Sequence, residues 1–88
     1  MTYYEYAGEM GDLCLKISQA LKAMKQKGLY DFYYAASEGF DVIRKNMNVE
    51  EAEMIVDKDQ MEQLESTAAY EKEVRKEAVE YISQEVTA

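Results

Sequence analysis

Carboxylates dominate the chemistry open to this chain. Several pairs stand at the i, i+3 spacing that places both side chains on one helix face, among them Glu9/Asp12, Glu50/Glu53 and Glu62/Glu65. One or two carboxylates, completed by substrate phosphates, suffice to hold magnesium. Little else is available for catalysis. The chain has no histidine, so it lacks the commonest general base and the commonest nitrogen ligand, and hydrolases of the usual triad kind are excluded. Cys14 is the single cysteine, which rules out an internal disulfide and leaves no thiolate set for a zinc site. Its place beside Leu13 and Ile17 is that of a small buried hydrophobe. Gly8, Gly11, Gly28 and Gly39 are scattered singly, so no glycine-rich loop can cradle a phosphate. No cofactor and no resident metal are expected.

The stretch Glu9-Met10-Gly11-Asp12 resembles the E-x-x-D half-motif of the MazG-like, all-α nucleotide pyrophosphatases. Those enzymes bind magnesium through an upstream E-x-x-E and this downstream E-x-x-D on neighbouring helices. Here only eight residues precede Glu9, and Glu50/Glu53 and Glu62/Glu65 follow it rather than lead. The resemblance is confined to four residues, and it implies a magnesium-dependent pyrophosphatase only as a minor alternative to a non-enzyme.

The elements that would carry these residues are helical. Proline is absent and no glycine follows Gly39, which removes the usual punctuation of a turn-rich β fold. Thr2-Tyr3-Tyr4-Glu5 has the form of a capping box. From there Tyr3, Tyr6, Met10, Leu13, Ile17, Ala20, Leu21 and Met24 recur at helical spacing. Gly28, after Lys22, Lys25 and Lys27, is expected to close this first helix. Leu29, Phe32, Tyr33, Ala36, Phe40, Ile43 and Met47 then define a second amphipathic helix, close enough in sequence to pack antiparallel on the first. Asn48 and Glu51 mark a third start, with a short helix expected through about Val56. A last helix is expected from about Gln60 to Val86, capped by Asp59, with a continuous third-plus-fourth helix as the alternative. The fold class is therefore all-α, an antiparallel hairpin plus one or two C-terminal helices in a single domain over residues 1–88.

Charge divides that domain. Residues 1–47 carry six acids and six bases, whereas residues 48–88 carry twelve acids and four bases and so hold the whole net charge of −8. No run of apolar residues is long enough to cross a membrane, and Glu5, Glu9 and Asp12 precede the first base, Lys16, so no secretory leader is expected. The expected setting is cytoplasmic. Glu50, Glu51, Glu53, Asp57, Asp59, Glu62 and Glu65 would span about 24 Å if helical, a length over which duplex DNA presents roughly fourteen phosphates. One chain falls short of that density, and direct nucleic-acid binding is disfavoured because acids repel phosphate. The leading expectation is a non-enzymatic inhibitor or regulator that docks these acids on a basic, nucleic-acid-binding partner protein, by analogy with small acidic phage proteins that block restriction or CRISPR machinery. The alternative is a helical adaptor, immunity protein, antitoxin or secretion helper that binds through a Tyr/Met surface including Tyr30 and Tyr34. The tyrosines face several directions, which a partner or a homodimer would explain.

Overall fold

The Thr2 hydroxyl accepts a hydrogen bond from the Glu5 N–H at 3.2 Å, and Glu5 Oε1 accepts one from the Thr2 N–H at the same distance. This reciprocal cap starts α1 (Tyr3–Ala23), as the sequence predicts. In this computed structural model, which describes residues 1–87, α2 (Lys27–Lys45), α3 (Val49–Glu53) and α4 (Lys58–Thr87) follow. The chain is all-α.

Three boundaries differ from expectation. Gly28 does not close α1, because Lys25, at φ 60, takes the left-handed position three residues earlier. The Gln26 N–H reaches the Leu21 carbonyl at 2.9 Å and the Lys25 N–H reaches Lys22 at 3.0 Å. These are the two bonds of a Schellman ending, so the terminal carbonyls are satisfied without glycine. Next, α3 stops at Glu53 rather than near Val56. The segment after it runs extended and pairs with the N-terminus: Thr2 and Ile55 form an antiparallel bridge, the Tyr3 N–H donates to the Met54 carbonyl at 2.7 Å, and the Val56 N–H donates to Met1 at 3.1 Å. Finally, Asp57 rather than Asp59 caps α4. Its Oδ1 accepts from the Gln60 N–H at 2.8 Å while Gln60 Oε1 accepts from the Asp57 N–H at 3.0 Å. A continuous third-plus-fourth helix is ruled out.

Packing is organised around α1. Small residues bring α2 against it in antiparallel fashion: a Cβ added at Gly11 would lie 3.3 Å from Phe40 Cβ, and one at Gly8 would lie 3.5 Å from the Arg44 guanidinium. Ser18 and Ser37 are buried beside this seam with their hydroxyls donating to the carbonyls of Leu15 and Tyr34. On its other flank α1 runs parallel to α4. Tyr6 and Met10 pack with Val56 and Leu64 at one end, and Ile17 and Leu21 with Val74 further along. The Lys25 ammonium meets Glu85 at 3.1 Å at the far end. Between α2 and α4 the Tyr33 and Tyr70 rings meet at 5.7 Å. The product is flat and long, 54 × 22 × 15 Å, with α1 in the middle and α2 and α4 on either side.

Candidate partner-binding site

The seven carboxylates singled out from the sequence occupy two short segments rather than one straight arm. Glu50, Glu51 and Glu53 lie on α3, Asp57 caps α4, and Asp59, Glu62 and Glu65 follow on its first turns. The bridge of Ile55 to Thr2 separates the two segments, so the 24 Å continuous helix does not exist. All seven are exposed. Glu51 and Asp57 also have local work, since Glu51 Oε1 accepts from Asn48 Nδ2 at 3.0 Å and Asp57 holds its helix start.

Ion pairing leaves them alone. Among the described residues the ion pairs join Lys16 to Asp12, Lys25 to Glu85, Lys27 to Asp31, Arg44 and Lys45 to Asp41, and Arg75 to Glu71. Six of the ten Lys and Arg side chains are thus committed, and none to the seven acids. Pairing instead perturbs other carboxylates: the Thr2 hydroxyl holds Glu5 below its ordinary value, Lys45 does so for Asp41, and Lys25 for Glu85.

Tyr30 and Tyr34 are brought together, but far from the acids. Their rings lie 5.7 Å apart, and the Lys22 ammonium sits 5.4 Å from the Tyr30 centroid. Lys22 is at the end of α1 opposite Thr2, so about 30 Å of helix separates Tyr30 from the α3 corner, while Tyr34 reaches back toward Asp12 and Leu15. The predicted residues therefore form two surfaces, not one.

The catalytic candidates are poorly placed for metal chemistry. Glu9 and Asp12 border a groove with Leu13, Leu64, Glu65 and Ala68, but Asp12 is paired with Lys16 at 3.1 Å. No three His, Cys, Asp or Glu side chains among the described residues gather closely enough to hold a metal ion. A second groove, about 370 Å³, runs over Gly8 and Gly11 between α1 and α2, with Arg44 and Asp41 on its wall already paired at 3.2 Å. Cys14 is buried, and burial pushes its thiol upward, away from the reactive thiolate. Burial likewise raises Tyr6 and Tyr33, keeping both phenols protonated.

One surface was not legible in the sequence. Phe32 is 65% exposed, Leu29 48% and Ile43 46%, although all three belong to the stripe expected to face α1. The α1–α2 seam instead uses Gly8, Gly11 and Ser37, which allow the backbones to approach and rotate α2 so that much of its apolar stripe looks outward. Two glycines on that outward face, Gly28 and Gly39, have nothing within 4 Å of an added Cβ. They were the available clue.

No family model matches this chain, and no curated protein or solved structure matches it either. No helix among the described residues is long and apolar enough to cross a membrane.

Proposed function

We propose that this chain is a non-enzymatic regulator that binds another protein, docking the carboxylates of α3 and the first turns of α4 on a basic surface of the kind that otherwise contacts nucleic acid. One observation carries the reading: among the described residues the seven exposed acids have no ion-pair partner, while six of the ten bases pair elsewhere and Lys58 is the one base within their stretch of chain. A cluster left without counter-charges repels itself in the isolated chain and projects a negative potential that speeds encounter with a basic partner. The Tyr30/Tyr34 surface supports the adaptor reading less well, because those rings are occupied with each other and with Lys22.

The test is affinity capture from the native host at low salt, with the combined variant Glu50→Gln, Glu53→Gln, Asp57→Asn as the comparison. Asparagine also serves as an N-cap, so the third change removes charge and spares the start of α4. The captured protein should be lost with the variant, released by raised salt, and displaced by duplex DNA added as a competing polyanion. Capture that survives both salt and amide substitution, but fails with Tyr30→Ala or Tyr34→Ala, would move the function to the aromatic surface.

A further inference from the structure

We propose that the outward face of α2 is a homodimer interface, occupied by α2 of a second copy lying antiparallel to the first. The face is free of charge: Lys27, Asp31, Glu38, Asp41, Arg44 and Lys45 all fall outside the arc holding Leu29, Phe32, Ala35, Gly39, Val42 and Ile43, at 100° per residue. Phe32, near the middle of the arc, is 65% exposed and Val42, at one edge, 57%, an arrangement that costs solubility unless something covers it.

Charge selects the occupant. Two copies that each carry −8 repel wherever α3 or α4 meets its equivalent. In contrast, α2 holds three acids and three bases, so its face is one on which a second copy can settle without placing acid against acid.

The pattern along the face is self-complementary, as a two-fold contact requires. With the axis between Ala36 and Gly39, Phe32 of one copy meets Ile43 of the other, and Ala36 meets Gly39. Bulk lies at both ends and the smallest residues at the crossing, where helix backbones come nearest. This gives Gly39 a purpose that the single chain does not. Glycine in a helix interior costs up to about 1 kcal/mol against alanine, and among the described residues nothing beyond the adjoining turns of its own helix backbone comes within 4 Å of a Cβ built there. Gly11, by comparison, is explained by Phe40 at 3.3 Å. A strip about 28 Å long and one helix wide, duplicated on the second copy, buries on the order of 1,000 Å², the lower end for specific interfaces. The dimer should therefore be reversible and concentration-dependent.

Sedimentation equilibrium from micromolar to near-millimolar concentration tests this, with circular dichroism as the check on folding. The wild-type chain should dimerise, and raised salt should tighten the dimer by screening the two −8 copies, the opposite sense to the acidic docking above. Phe32→Glu and Ile43→Glu should each weaken it by about 100-fold or more, because symmetry doubles every loss. Val86→Glu, at the end of α4, should leave it unchanged. A wild-type chain that stays monomeric throughout, or a folded Phe32→Glu chain that dimerises normally, overturns the proposal. Should either glutamate variant unfold, oxidation of a Cys14→Ala background decides the matter. Ala36→Cys, beside the axis, should cross-link, and Leu29→Cys, about 25 Å from its equivalent, should not. Cross-linking through both would show a parallel pair and sink the antiparallel geometry.

Discussion

The first two helices are similar in length and each is closely balanced in charge, yet they do different work. α1 buries Tyr6, Ala7, Met10, Cys14, Ile17, Ser18 and Leu21, whereas Ser37 is the one residue α2 buries. The difference lies in neighbours. α1 is flanked by α2 on one side and α4 on the other, so two of its faces are covered, while α2 leans mainly on α1 through a narrow seam of small residues. Amphipathic spacing alone reports that a helix has an apolar face; it does not report how many neighbours share that face.

The sharpest way to break this comparison is to cut into both helices equally. Ile17→Ala, at 0% exposure, should cost about 2–5 kcal/mol, enough to unfold much of a domain this small. Phe32→Ala removes a larger side chain, yet in dilute solution, where a dimer is dissociated, it should shift stability by no more than about 0.5 kcal/mol. Urea denaturation followed by circular dichroism measures both. A large loss at Phe32 under dilute conditions would mean that α2 is buried within the single chain after all.

Glycines sharpen the same contrast at smaller magnitude. Gly39→Ala should raise the stability of the dilute chain by about 0.5–1 kcal/mol, since the new methyl meets nothing and the helix gains propensity. Gly11→Ala gains the same propensity but forces Phe40 aside from 3.3 Å, so its net effect should be near zero or destabilising. Equal gains at the two positions would show that the α1–α2 seam yields freely and that the tight approach there is not a constraint.

How far the sequence could be read follows the range of the interactions involved. Local chemistry was legible: the Thr2/Glu5 box and the Asn48 cap form as expected, and the Asn48 side chain accepts from the Glu51 N–H at 2.8 Å. Long-range chemistry was not. The early end of α3 depends on Met54 and Val56 pairing with Tyr3 and Met1, more than fifty residues away in sequence, and no local pattern announces it. Lys25 shows a third case, where a Schellman ending outweighs the cost of a left-handed lysine, about 1 kcal/mol or more, and leaves the nearby glycine with no turn to make. For the surfaces, the acids could be named from sequence, but their division into two segments, the α3 one about 30 Å from Tyr30, required the fold.

The smallest effect tests the end of α1 where both halves of the chain meet. The Thr2 hydroxyl lowers the Glu5 pKa, so the folded state favours the carboxylate, and the stabilisation is present above the ordinary glutamate value of 4.5 and lost as pH falls through the lowered one. The raw acid limb of stability mixes this with a contrary effect, because protonating the unpaired acids of α3 and α4 relieves their repulsion. Comparison of wild type with Thr2→Ala at each pH separates the two, as both proteins share the acidic cluster. The gap should be open near neutrality and should narrow below pH 4.5 to a residue set by the Glu5 N–H bond to the hydroxyl, which does not titrate. A gap that stays constant with pH would mean that the contact of the hydroxyl with the Glu5 carboxylate contributes nothing, and that the side chain of Thr2 acts only as acceptor for the Glu5 N–H.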